Sequence, residues 1–410
     1  MSRWPLPARL NLVLVAGVIF TAWGPLCFDI FTPGTDVVQF HVAGRLVGDG
    51  QADRLYDQVY FHSRQAAMPE VELKSWYYSL YPPTVALALA PWAKLPYLEA
   101  RLVWWLVEGA AFIAAGFMLY RCAPLARQWK PTALLALLAM FPLWMAMRVG
   151  QFTPLWLLAL AGGMFLHDRG RRFSAGASFS LLLLKPQLAA PLAFWLLLRR
   201  DLRALAGMTS GALVQLLAVV VFLGPAMPLD YLAALPGIAR GAKVVNLSAA
   251  YEQSFGGSIK HFLLHSGWNP PDCRLPAALG QLALALLAGY LLFDVVRSNR
   301  RAARNGPQAE HARRYEYAAA VLFLLAATPH LLLYDLTLLA VPILWLWSTP
   351  AWRLGIVLFF PATVVAAFVS LGLEFNLTPL LILWVLARLA HELRRQERSC
   401  PCGTGVLQAA

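Results

Sequence analysis

The sequence predicts an all-α polytopic membrane protein with about twelve transmembrane helices, within a range of roughly ten to thirteen. Three observations carry that prediction. Hydrophobic residues make up 59% of the 410 and charged residues only 13%, at a mean hydropathy of +0.58; soluble domains hold about twice that share of charge. Apolar runs suited to helices of roughly 20 residues recur along the chain. Lys and Arg stand in short groups between those runs, such as Arg169, Arg171 and Arg172, or Arg199, Arg200 and Arg203. This is the pattern of inner loops. Composition thus excludes a soluble enzyme and a disordered chain. The net charge of +13 is an orientation signal, not a nucleic-acid footprint, which would gather its cations on one soluble face. The expected surroundings are membrane lipid, with no nucleic-acid partner.

Read in order, Arg3 and Arg9 precede an apolar run from Leu10 to Phe28. No small-residue cleavage site follows it, so it is read as an uncleaved span with its N-terminus inside. Residues 32–79 form the first outer loop. There Val37, Val38, His41, Leu46 and Val47, then Leu55, Val59 and Tyr60, have helical spacing, which suits amphipathic helices lying on the membrane surface. Residues 82–95, opened by Pro82 and Pro83 and interrupted by Pro91, read as re-entrant or interfacial. Further spans are expected at 100–121, 131–149, 152–167, 173–184, 188–199 and 203–224. A second outer loop covers 227–267, and spans follow at 275–297, 316–328, 331–347, 352–371 and 377–393. Residues 394–410 are a cytoplasmic tail, and the whole chain reads as one integral membrane domain. Several spans are too short to cross alone. They meet at Lys185-Pro186 and at Pro329-His330, and broken helices are tolerated only where they line an enclosed or wet cavity.

On this topology the polar residues that need a reason converge on the outer side. Asp36, after Pro33, Gly34 and Thr35, suits a helix N-cap and equally a reactive carboxylate; Asp29 competes with it for that role. Tyr77, Tyr78 and Tyr81 beside Pro82 and Pro83 suit an interfacial belt or a sugar platform. Arg148 and Gln151 sit at a turn between two apolar runs; the arginine can snorkel or fork onto a phosphate. Lys185, after four leucines and before Pro186 and Gln187, must find an anion, a carbonyl or water in an enclosed polar place. His330, Tyr334 and Asp335 are either caps at a broken helix or a ligand-orienting set. In the second outer loop Asn246, Tyr251, Glu252, Gln253 and Ser254 precede Gly256-Gly257, a flexible polar loop or a substrate contact. No metal site is expected: the cysteines form no C-x-x-C pair, and a lone His-Asp pair is a poor ligand set.

These pieces, taken in order, resemble glycosyltransferase family 87 of the GT-C superfamily. The stretch Asp36-Val37-Val38-Gln39-Phe40-His41-Val42-Ala43-Gly44-Arg45-Leu46 carries the resemblance, with Gly50, Leu55-Tyr56-Asp57 and Tyr81-Pro82-Pro83. It continues through Gly150-Gln151, Arg171-Arg172 with Ala175-Gly176, Lys185-Pro186-Gln187, Arg199-Arg200, and Thr328-Pro329-His330 with Tyr334-Asp335. The resemblance implies a GT-C-like multi-span enzyme of the bacterial inner membrane, with both termini cytoplasmic and its active site at the periplasmic face. It implies transfer of a hexose, mannose being the expected sugar, from a polyprenyl-phosphate donor to a hydroxyl of a lipid or glycan acceptor. Transfer would invert configuration, with Asp36 as general base and no cofactor. Lys185, Arg148 and His330 would meet the donor phosphate; Tyr81, Gln151, Gln187, Tyr334 and Asp335 would contact substrate. Two other classes stay open: a transporter or flippase of a lipid-linked or anionic solute, and a non-catalytic assembly subunit.

Overall fold

A computed structural model describes residues 16–17, 36–71, 77–122, 137–241, 251–302, 308–347 and 375–399. All but residues 16–17 of the expected span at 10–28, the whole span at 352–371, Asp29, Asn246 and most of the tail lie outside the described residues. Among the described residues the fold is all helical, with no strand and one isolated antiparallel bridge between Glu252 and Leu332. They belong to two compact units, Met1–Ala189 with Leu202–Ser248 and Leu333–Leu338, and Ala190–Asp201 with Ala249–Leu332 and Leu339–Ala410.

The first unit begins with α1 (Val37–Gly48), which forms where its spacing predicts. Most of its length is covered by other parts of the unit. Val37 to Gly44 and Leu46 are all buried, because α3 (Pro83–Leu89), the 3₁₀ turn Trp92–Lys94 and α4 (Tyr97–Cys122) pack around it. The buried His41 Nε2 bonds the Leu95 carbonyl at 3.0 Å, and the exposed Arg45 donates to the Ala93 carbonyl at 3.5 Å. Between α1 and α3 comes α2 (Gln58–Ala66), capped by Asp57, whose carboxylate accepts from the Tyr60 N–H at 3.1 Å. Residues 82–95 thus form a short helix and a turn.

Helices α5 (Phe141–Val149) and α6 (Thr153–Asp168) follow, each with a proline in its first turn, where the missing N–H costs nothing. Next is α7 (Arg172–Phe179), prolonged by the 3₁₀ segment Ser180–Leu184. Lys185 leaves helical geometry, and Pro186 opens α8 (Pro186–Leu198). The unit closes with α9 (Leu202–Leu223) and α10 (Met227–Gly241). Small residues allow α7 and α9 to approach closely, as is usual between membrane helices. A Cβ added at Gly176 would stand 1.8 Å from the Ala204 carbonyl oxygen, and one at Gly207 would stand 1.9 Å from that of Phe173.

The second unit holds α11 (Phe255–His265), α12 (Arg274–Ala302), α13 (Gln308–Ala327), α14 (Ala340–Trp347) and α15 (Thr378–Ser399). A 3₁₀ segment, Leu333–Leu339, precedes α14. Helix α12 packs on α11, α13 and α15. Charges read from sequence as loop anchors serve here as internal pins. The buried Glu316 accepts from Trp195 Nε1 at 2.9 Å, from Arg199 Nη1 at 2.6 Å and from the Asn299 amide, joining the later turns of α8 to α12 and α13. Asp294 accepts from Arg394 Nε, joining α12 to α15.

Among the described residues three helices, α4, α9 and α12, are long and apolar enough to cross a membrane. They coincide with the expected spans 100–121, 203–224 and 275–297. All three expose large apolar side chains, among them Leu106, Ile113, Val214, Phe222, Leu282 and Leu286. A soluble surface would penalise these, and lipid favours them. The other expected spans within the described residues are helical but shorter, broken or more polar. Replacing Gly176 or Gly207 by Leu is expected to force α7 and α9 apart. The expected cost is roughly 1–3 kcal/mol or more, read as a lowered unfolding temperature in detergent; an unchanged temperature would contradict the close approach.

Candidate active site

In the first unit the polar residues form two connected groups. The first is built on a turn. Helix α5 ends at Gly150, whose φ of 75° lies in the left-handed region that glycine adopts at a helix C-terminus. No other residue fits there, since a Cβ would stand 2.0 Å from Val37 Cγ2. The Gly150 carbonyl accepts from Trp104 Nε1 at 3.1 Å, and the Gln151 N–H reaches back to the Ala146 carbonyl at 2.9 Å. Gln151 is thereby held 2% exposed. Its amide Nε2 donates to Asp36 Oδ2, and its Oε1 accepts from the Tyr81 hydroxyl at 3.0 Å.

Asp36 stands at the N-terminus of α1 but makes no side-chain cap bond. Its carboxylate turns to Gln151, so the capping role that its position suggests is not filled. Burial pushes the Asp36 carboxyl up to about 6 from its ordinary value near 4, and the Gln151 hydrogen bond offsets part of that push. Removal from water disfavours the charged form, while a donor to it favours that form. Tyr81 is held by aromatic neighbours: Phe40 edge-on at 5.2 Å, Phe152 at 6.0 Å and Trp156 stacked at 6.5 Å. Burial raises its phenol well above the usual value, and the negative charges of Asp335 and Asp36 add to that. The tyrosine therefore sits between the two groups and keeps its proton. A small cavity beside it is lined by Phe40, Ala43, Leu55, Ser79, Pro82 and Val85.

The second group centres on Lys185. Its Nζ lies 2.7 and 2.6 Å from the two oxygens of Asp335, with the lysine 4% and the aspartate 0% exposed. The same ammonium lies 5.0 Å from the Trp156 ring centre and 5.4 Å from that of Tyr334, within cation–π range. Sequence reading assigned Lys185 to a phosphate and Asp335 to substrate; the structure joins them to each other. The lysine's charge is matched at the break that Pro186 imposes on the helix. Gln187 lies half-buried in the first turn of α8. Arg148, in the last turn of α5, is exposed, with its guanidinium 5.3 Å from the Trp144 ring centre.

His330 belongs to the second unit, with different partners. Its Nδ1 lies 3.7 Å from Glu252 Oε1, while His261 Nε2 and Lys260 Nζ lie 3.3 and 3.9 Å from Oε2. Burial alone would raise the Glu252 carboxyl; hydrogen bonds with His261 and His330, and the charges of His330 and Lys260, outweigh it and hold the group well below the usual carboxylate range. Of the residues read as a flexible polar loop or a substrate contact, Gln253 and Ser254 are held by defined hydrogen bonds. Ser254 caps α11 by accepting from the Gly257 N–H at 3.1 Å, and the Gln253 N–H donates to the Leu331 carbonyl at 2.7 Å. Sequence reasoning missed Glu252 and His261 as a pair and Trp156 as a partner of Lys185. The one signal available was the clustering of polar residues before Gly256. Among the described residues no cluster of His, Cys, Asp and Glu suits a metal ion.

Among the described residues three helices are long and apolar enough to cross a membrane, and the first unit holds a buried amide–acid contact and a buried ion pair. A model of glycosyltransferase family 87 matches residues 79–307, more than half of the chain, which therefore belongs to that family and is a membrane glycosyltransferase. The match includes Tyr81, Arg148, Gln151, Lys185 and Gln187, starts after Asp36, and ends before His330, Tyr334 and Asp335. No curated protein and no solved structure matches the chain.

Truncating one partner of a buried pair strands the other charge. Lys185→Met is therefore expected to cost about 3–5 kcal/mol of stability, and Lys185→Met with Asp335→Asn to recover most of it. Thermal unfolding of the two variants in detergent measures this coupling; equal losses in both would refute the pairing.

Proposed function

We propose that the chain is an inverting hexosyltransferase that moves a sugar, mannose being the expected one, from a polyprenyl-phosphate donor to a hydroxyl of a lipid or glycan acceptor. Asp36 is the general base. The observation that carries this reading is the state of Asp36: a partly buried carboxyl raised to about 6, with one oxygen engaged by Gln151. Such a group is ionised at neutral pH yet basic enough to take a proton, which is how a general base is tuned. The reading places this chemistry at the periplasmic face of the bacterial inner membrane. It assumes a GT-C-like arrangement of about a dozen spans with both termini inside.

In the proposed step Asp36 removes the proton of the acceptor hydroxyl as that oxygen attacks the anomeric carbon. The bond from that carbon to the phosphate oxygen breaks, and the polyprenyl phosphate leaves from the opposite face with the electron pair. Configuration therefore inverts. The charge growing on the phosphate needs a donor held in place beforehand. Arg148 is the first contact proposed, because it is exposed and its planar fork matches phosphate. Lys185 reaches the same phosphate only by exchanging Asp335 for it. His330, half-exposed beside Glu252, remains a proposed donor contact, and Gln187 and Tyr334 proposed substrate contacts. The step is written without a metal or cofactor.

Membranes carrying the protein, incubated with radiolabelled polyprenyl-phosphate mannose, test the reading. Label should enter a glycolipid or glycan fraction; label that crosses the bilayer without joining an acceptor would favour a transporter. Asp36→Asn should reduce transfer by roughly 10²- to 10⁴-fold with no loss of unfolding temperature, because the neutral amide avoids burying a charge. Near-normal transfer by that variant would sink the assignment. In the unaltered protein, transfer should be level above pH ~7 and fall by about tenfold per unit below pH ~6, since the base must be ionised and burial has moved its titration upward. Arg148→Gln should raise the KM for the donor by roughly tenfold with a smaller change in kcat.

A further inference from the structure

Gln151 stands between two oxygen-bearing groups, and what each can offer decides how its amide must lie. An ionised carboxylate only accepts hydrogen bonds, so Asp36 Oδ2 takes the amide NH₂. That turns Oε1 the other way, onto the Tyr81 hydroxyl, which donates to it at 3.0 Å. The reversed amide would press an oxygen against the carboxylate and leave the tyrosine's proton without that acceptor. Tyr81 is itself fixed: its ring is held by Phe40 and Trp156, and its carbonyl accepts from the Tyr56 hydroxyl at 3.0 Å. Nothing in the transfer step uses either residue, although both had been read as substrate contacts.

We infer that Tyr81 and Gln151 are positioning residues for Asp36. The tyrosine hydroxyl locks the glutamine amide so that only its NH₂ meets the carboxylate, which ties Oδ2 and leaves Oδ1 to meet the acceptor hydroxyl. This rests on Asp36 being the base. The hydroxyl proton of Tyr81 is spent on Gln151, so the tyrosine offers substrate its ring, not a donor. The lock also sets where Asp36 titrates, because a donor to the carboxylate favours its charged form. Of the ionisable groups on the surrounding elements, Tyr81 faces both Asp36 and Asp335, and Lys185 is taken up by Asp335. Arg101 on α4 donates to the Arg148 carbonyl at 3.4 Å. His41 and Arg45, on the helix that Asp36 begins, bond the carbonyls of Leu95 and Ala93.

The test is the pH dependence of mannose transfer from radiolabelled polyprenyl-phosphate mannose by membranes carrying Tyr81→Phe, Gln151→Glu or Asp36→Asn. Tyr81→Phe removes one oxygen and frees the amide to rotate. The acid limb of kcat/KM should rise on the order of one pH unit, with the activity lost near pH 6 partly recovered at higher pH. Gln151→Glu is isosteric and sets a second acid against Asp36, so its limb should rise further, as for two carboxyls sharing a site. If Tyr81→Phe fails to accumulate, Gln151→Glu reads the same limb. A structural role alone would lower transfer equally at every pH. Limbs that stay in place while Asp36→Asn is inactive overturn the lock and spare the base. Transfer retained by Asp36→Asn overturns the base and the lock with it.

Discussion

A charge enclosed by apolar side chains must find its opposite within hydrogen-bond reach, and the first unit is organised around one such pair, Lys185 with Asp335. Desolvating both is costly, and only short, well-aligned contacts return that cost. The backbone is irregular where they meet. Lys185 falls between a 3₁₀ segment and a proline-opened helix, and Asp335 lies within another 3₁₀ segment. Trp156 and Tyr334 then cover the ammonium. The ion pair, the two breaks and the aromatic cover form a single arrangement, and removing any part exposes the others to an unfavourable environment.

Against that neutralised pair, the treatment of Asp36 stands out. Both are acids of the same unit, but Asp335 receives a full positive charge and Asp36 receives an amide. Burial with a single neutral donor pushes the Asp36 carboxyl up to about 6, which leaves it able to take a proton. Tyr81 stands between them and feels both charges. On the proposed mechanism the chemistry rests on the acid that meets only an amide, not on an accumulation of cations.

The glycines and prolines carry this arrangement. Gly150 provides the left-handed turn that aims Gln151, and Val37 occupies the space any side chain there would need. Pro142 and Pro154 open the helices on either side of that turn. Much of this was legible beforehand. The Gly150-Gln151 turn, the Lys185-Pro186 break and helical spacing from Val37 onward all point to the right local structure. The helix at Val37 forms as its spacing predicts, with most of its side chains covered by neighbouring helices. His41 is buried and bonds the Leu95 carbonyl, while the exposed Arg45 reaches the Ala93 carbonyl.

By itself, the sequence determined that this chain is helical and lives in lipid. It also determined where α4, α9 and α12 run, and that Asp36, Gln151 and Lys185 need a purpose. Those properties follow from composition and from periods of a few residues, which a linear reading can detect. Tertiary structure alone decided who partners whom. Lys185 meets an acid 150 positions away and Asp36 meets an amide 115 positions away. His330 turns to Glu252, across a long stretch of chain. A side chain's charge and hydrogen-bonding capacity are local, but the group that satisfies them is set by how distant helices pack. The difference between a phosphate-seeking lysine and a neutralised one is therefore invisible until the chain is folded.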